Sequence, residues 1–118
     1  MQLNSSSRQQ KVAGLISQSL NEIFARGKQI DIRLIENKIT ITNVKISPDL
    51  KIATIYFLPF VRSKISSDEY LDALEASRFA IRKQLTEAIN LKYSPEIRFF
   101  YDKGAENALE VESVLKRI

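Results

Sequence analysis

Across its 118 residues the chain has no His and no Cys, and its three glycines, Gly14, Gly27 and Gly104, stand far apart. The first absence removes the commonest general base and the ordinary pH switch. The second excludes thiol catalysis, Cys-based zinc sites and disulfide staples. Glycines at that spacing form no phosphate-cradling nucleotide loop. Carboxylates do cluster at Asp68, Asp72 and Glu75, but they crowd the first half of an expected helix, where they complement its dipole rather than make an acid–base pair. The expectation is no enzyme, no cofactor, no metal site and no small-molecule substrate.

What remains is cationic chemistry. Arg78, Arg82 and Lys83 follow the carboxylates on the same helix, and the four-residue spacing turns Arg78 and Arg82 the same way. Dipole complementarity accounts for Arg82 and Lys83, which belong toward a helix C-terminus. It does not account for Arg78, which interrupts the apolar stripe. Further bases are Arg8 and Lys11 at the start of the first helix, Lys45 and Lys51 in a hairpin, and Arg62 and Lys64 in the loop after it. Taken singly, each is ordinary solvated surface. Residues 1–67 nevertheless hold 10 Lys/Arg against 4 Asp/Glu, while 68–118 hold 8 against 10, for a net charge of +4. A basic first half suits a polyanionic partner. The aromatics Tyr56, Phe57, Phe99, Phe100 and Tyr101 lie on expected strands and belong to the core rather than to a base-stacking platform.

The elements that position these groups follow from periodicity. From Ser7 to Arg26, Val12, Leu15, Ile16, Leu20, Ile23 and Phe24 recur at helical spacing. Ser5-Ser6-Ser7 supplies an N-cap and Gly27 a left-handed C-terminal residue. Ile39 and Ile41, then Val44 and Ile46, alternate as a strand whose parity slips near Thr42-Asn43, the mark of a bulge. Ser47-Pro48-Asp49-Leu50 is a turn, and Ile52–Leu58 returns until Pro59.

Ser66 and Glu69 have capping-box spacing at the head of a long helix, with Ile65 and Tyr70 placed to staple it. Its stripe runs Leu71, Leu74, then Ile81, Leu85 and Ala88, and the missing position falls on Arg78 beside Ser77. A guanidinium does not belong in a core seam, so the helix is expected to kink around Ala76-Ser77-Arg78. There, backbone N–H groups beside two guanidiniums would cradle a phosphate. After Tyr93-Ser94-Pro95, residues Glu96–Tyr101 make a third strand, with Ile97, Phe99 and Tyr101 on one face, paired parallel after a crossover. Ala105–Ile118 is a short helix with Ala108, Val111, Leu115 and Ile118 inward. The fold class is α+β, a three-stranded sheet packed on helices in one domain spanning 1–118, with residues 1–6 and the last few least bound to it. The N-terminus lacks a secretory h-region and no apolar run spans a bilayer, so a soluble cytoplasmic protein is expected.

Val44-Lys45-Ile46-Ser47-Pro48-Asp49-Leu50 with Ala53-Thr54-Ile55-Tyr56 resembles the hairpin signature of the ribosome-binding factor A family. Ser94-Pro95-Glu96-Ile97-Arg98-Phe99-Phe100-Tyr101-Asp102 resembles its last strand, and Arg8, Lys11-Val12-Ala13 and Leu15-Ile16 fit its first helix. The match spans roughly residues 5–115. The resemblance implies a type II KH-like fold without the GxxG loop. It also implies a bacterial factor that binds the small (30S) ribosomal subunit during late 16S rRNA maturation and supports growth in the cold, beside other assembly factors. Family members carry a kink built on a small residue, any residue, then Gly. Ala76 and Ser77 match that pattern, but Arg78 stands where Gly is expected, and an Arg in a left-handed turn would be strained.

The residues expected to contact RNA are Arg8, Lys11, Lys45, Lys51, Ser77, Arg78, Arg82 and Lys83. A monomer is the simplest state. The rival function is a protein–protein adaptor whose charge is incidental.

Overall fold

The computed structural model describes residues 6–59, 63–90 and 95–107. Among these, seven elements follow in the order α1 (Ser7–Arg26), α2 (Ile32–Glu36), β1 (Ile39–Ile46), β2 (Ile52–Pro59), α3 (Ser67–Ala76), α4 (Arg78–Ile89) and β3 (Glu96–Tyr101). The fold is α+β, with the three-stranded sheet ordered β1-β2-β3. The expected final helix begins earlier than anticipated, with 103–107 helical behind Asp102, whose carboxylate accepts from Ala105 N–H. Its inward positions Ala108, Val111, Leu115 and Ile118 lie outside the described residues, as do Arg62 and Tyr93-Ser94.

Local chemistry sets the element ends. The N-cap of α1 is Ser6, in a full capping box: its Oγ accepts Gln9 N–H while Gln9 Oε1 accepts Ser6 N–H. Gly27 closes the helix at φ 65°, and its N–H donates to the Ile23 carbonyl. The same reciprocal box joins Ser66 and Glu69 at the head of α3. In the hairpin turn, Ser47 Oγ donates to Asp49 and accepts the N–H groups of Lys51 and Ile52. Hydrogen bonds hold Asp49 below the usual carboxylate range, the Ser47 hydroxyl first and Lys51 N–H second.

β1 and β2 are antiparallel, with the register shifting between Ile41 and Asn43 as the parity slip requires. β2 and β3 are parallel, Ile52 opposite Glu96 and Phe57 opposite Tyr101. One sheet face carries Ile39, Ile41, Ile46, Ala53, Ile55, Phe57 and Ile97 into the core, against Ile16, Leu20, Tyr70, Leu74, Ile81 and Leu85 from the helices. Phe57 makes edge contacts with Tyr70 and Tyr101, and Phe24 with Phe99. Phe57 is therefore fully core, with Phe99 and Tyr101 packed at its margin.

Three side chains depart from the expected stripes. Leu15 is 45% exposed. Ala88 is exposed, and Ile89 packs on the core instead. Tyr70, expected only as a staple, is fully buried, and its hydroxyl donates to Ser63 Oγ. A helix turns about 100° per residue, so the break resets which residues of α4 face inward, whereas Leu15 lies at the flank of the stripe on an unbroken α1.

Candidate nucleic-acid interface

The expected kink is present as an interruption at Ser77, between α3 and α4. Ser77 has φ −95° and ψ 0°, the bridge region between helical and extended backbone. Its N–H still donates to the Ala73 carbonyl, and its own carbonyl accepts Ile81 N–H. Positive φ among the described non-glycine residues occurs only at Gln29, Leu50 and Asn90. The break thus needs no left-handed residue, and a β-carbon at Arg78 meets no backbone penalty. The strain expected from Arg in place of Gly does not arise.

Arg78 stays out of the seam, as a guanidinium should, but Ser77, expected as an RNA contact, is taken inside at 3% exposure. A buried hydroxyl needs a partner, and Ser77 Oγ accepts the Asp31 N–H at 2.8 Å. That bond ties the segment before α2 to the break and leaves α4 without a side-chain cap. Ser77 is thereby a positioning residue, with no surface to offer an RNA.

Arg78 turns outward. Its Nη2 donates to the Ile97 carbonyl at 2.7 Å, and Nη1 lies 3.6 Å from Glu75 Oε1. Glu96 N–H donates toward β2, to the Lys51 carbonyl, so Ile97, one residue on, directs its carbonyl to the open edge of β3. The guanidinium therefore covers a strand edge. Its side chain is still 43% exposed.

Two further cations gather there: Arg82, exposed on α4, and Arg98, which pairs with Glu96 on β3. Lys83 is exposed on the side of α4 toward α1. Glu96 is held below the usual carboxylate range by the Arg98 hydrogen bond first, then by the charges of Arg98, Arg78 and Arg82. The first turn of α4 contains no acidic residue. Placing Arg78 and Arg82 in the first half of α4 is an arrangement that local helix stability alone does not favour.

Sequence reasoning missed Phe79. It is 82% exposed in the first turn of α4, and Arg82 and Lys83 stand three and four residues on, hence on the same face. The available signal was an aromatic off the apolar stripe, between Arg78 and Arg82. A second missed element is α2, capped by Asp31. Arg33 forks between Asp31 and Asp72, with Nη2 to Asp31 at 2.8 Å and Nη1 to Asp72 at 2.9 Å, which joins α2 to α3. The Arg33 hydrogen bond lowers Asp31 from 3.8 to about 2. Asp72 is thus the ion-pair partner of Arg33.

The other expected residues fall into two groups. Gln9 Nε2 donates to the Ile46 carbonyl, so the first turn of α1, with Arg8 exposed and Lys11 one turn on, lies by the hairpin turn that carries Lys51. Lys45 stands on the sheet face turned away from the core, over the Tyr56 ring at 5.6 Å. Lys83 also borders a groove of about 470 Å³ between the end of α1 and α4, where Arg26 and Lys28 face it. Among the described residues no helix is long and apolar enough to cross a membrane.

The fold and surface define a class: a small α+β domain whose broken helix presents an exposed aromatic and a set of cations, two of them beside a sheet edge. A family model described as ribosome-binding factor A matches residues 8–115. The chain is 52% identical to the ribosome-binding factor A of Rickettsia felis over 113 residues, covering 96% of this chain and 93% of the relative. The crystal structure of ribosome-binding factor A from Thermus thermophilus superposes with a TM-score of 0.64 at 20% identity, over 79% of this chain and 94% of that one. A homology model of Thermus thermophilus ribosome-binding factor A, fitted into the cryo-EM map of a complex with the 30S subunit, gives 0.58 at 18% identity, over 75% of this chain and 88% of that one. The chain belongs to the ribosome-binding factor A family.

Proposed function

We propose that this chain binds the small (30S) ribosomal subunit as a non-enzymatic maturation factor, contacting 16S rRNA through the broken helix. The observation that carries the reading is membership of the family across residues 8–115. The Thermus thermophilus relative fitted into a 30S complex supports the partner. The cation cluster supports RNA as the contacted component, because phosphate neutralisation supplies most sequence-independent affinity.

On this reading Arg82 and Lys83 meet phosphates, Arg78 divides its donors between the β3 edge and the ligand, and Phe79 stacks on an unpaired base. Arg8, Lys11 and Lys51 form a second, weaker contact by the hairpin turn. The domain is a type II KH-like module in which the break replaces the GxxG loop. It acts in the cytoplasm as a monomer, late in 16S rRNA processing and also at low temperature, alongside other assembly factors.

Sedimentation of a cell lysate tests the partner. The protein should travel with free small subunits and be absent from assembled ribosomes. Migration with neither would refute the reading.

A further inference from the structure

The face of the sheet opposite the core carries a second arrangement, which the broken helix does not use. Along β3 the outward residues are Glu96, Arg98 and Phe100, and their partners on β2 are Ile52, Thr54 and Tyr56. Tyr56 and Phe100 pack ring to ring, with centroids 5.9 Å apart and planes at 32°. Phe100 remains 48% exposed, so the pair presents an open aromatic surface that nothing in the core demands. Lys45 stands over the Tyr56 ring at 5.6 Å. In the adjacent row, Lys45, Thr54 and Arg98 lie directly across from one another on β1, β2 and β3.

We infer that this face stacks unpaired bases of single-stranded RNA on Phe100 and Tyr56, with Lys45 and Arg98 taking the flanking phosphates. The inference rests on the reading of the chain as an RNA-binding protein, and adds a surface to it. Rows on one sheet face are separated by two residues, about 7 Å along the strand, comparable with the reach from a base to its own phosphate. The chemistry favours RNA over a protein ligand. An interface core is depleted of charge, whereas here a lysine and an arginine stand one row from the rings. Base stacking on aromatics needs no sequence match and requires strands whose base faces are open, which excludes a duplex.

Among the described residues, the carboxylates of Glu96 and Asp102 border the patch, and both are engaged. Glu96 pairs with Arg98, and Asp102 accepts from Thr42 and from Ala105 N–H. The Glu96–Arg98 pair is half exposed, the kind of ion pair that exchanges readily for a phosphate. Arg78 bonds the carbonyl of Ile97, the residue between Glu96 and Arg98, so the patch adjoins the broken helix at the β3 edge.

The chain contains no Trp, so Phe100→Trp places a single reporter on the patch. A short single-stranded oligoadenylate should quench its emission, and the same strand annealed to oligouridylate should not. Phe100→Ala and Phe100→Leu should each weaken oligoadenylate binding at least about five-fold, the loss of one stacked base, with thermal unfolding curves like the parent's. Lys45→Gln with Arg98→Gln should reduce the salt dependence. Absence of quenching, or undiminished binding by both Phe100 variants, would overturn the inference whatever sedimentation shows about small subunits. Oligoadenylate binding unchanged in Phe100→Ala while its association with small subunits falls would assign the face to a protein ligand and overturn it too.

Discussion

Replacing Ser77 by Ala removes one oxygen atom from a position that is 3% exposed. That atom accepts the Asp31 N–H at 2.8 Å and links the segment before α2 to the α3–α4 break. A hydrogen bond of this kind contributes about 1 kcal/mol net, rising to roughly 3 kcal/mol if the abandoned amide stays dry. The Asp31 amide is only partly buried, which favours the lower figure. Ala is the better helix former by about 0.5 kcal/mol, a gain realised only if α3 and α4 join. Ser77→Ala should therefore cost about 1 kcal/mol and lower Tm by roughly 4 °C. Urea unfolding followed by circular dichroism gives the first number. Amide exchange gives the sharper one, because protection at Asp31 should fall more than at Leu20 in the middle of α1. The charge cluster is untouched, so the salt dependence of binding should not change. Parental stability together with parental protection at Asp31 would refute the role assigned to Ser77.

Two more predictions concern the same framework. Asp31 is lowered from 3.8 to about 2 by Arg33, so its contribution is fully present above pH 3.8 and is lost as pH falls toward about 2. Asp31→Asn should be less stable at neutral pH and lose less as pH falls from about 4 to about 2, as read from Tm against pH; parallel curves would contradict this. Gly27 sits at φ +65°, where an added β-carbon would stand 3.2 Å from Ile35 Cγ1. Gly27→Ala should cost about 1–2 kcal/mol for the left-handed backbone, and an unchanged urea midpoint would show that the C-cap relaxes without cost.

The elements that were legible in the sequence are those with a period and a chemical end. α1 carries both, in its apolar stripe and its Ser6 and Gly27 caps, and β3 and the Ile41–Asn43 bulge follow from strict alternation. The break was legible because a polar pair fell in an apolar seam. That Arg78 leaves the seam was legible too; that Ser77 is buried, and that Arg78 bonds the β3 strand edge, was not, since the interruption moves the phase. α2 escaped because five residues are too few to display a period; its only mark is the Asp31 cap. The aromatics show the limit of reasoning from residue type. Alternation alone turns Tyr56 and Phe100 away from Phe57 and Phe99, yet all were assigned to the core. Of the expected contact residues, Arg78, Arg82 and Lys83 share α4, Arg8 and Lys51 lie by the hairpin turn, and Lys45 is on the far sheet face. Sequence proximity predicted the first group; the others needed the sheet register.

The central claim is that the broken helix holds rRNA through its cations, and the salt dependence of binding tests it most directly. Affinity for purified small subunits should be measured from low to moderate salt, for the parent and for Arg82→Gln with Lys83→Gln. Each phosphate neutralised contributes about 0.7–0.9 to the log–log slope. The parent should show a steep negative slope, and the double variant should bind more weakly with a slope shallower by about 1.4–1.8. A parental slope near zero would point to an apolar adaptor interface, and a slope unmoved by the two substitutions would place the RNA contact away from α4.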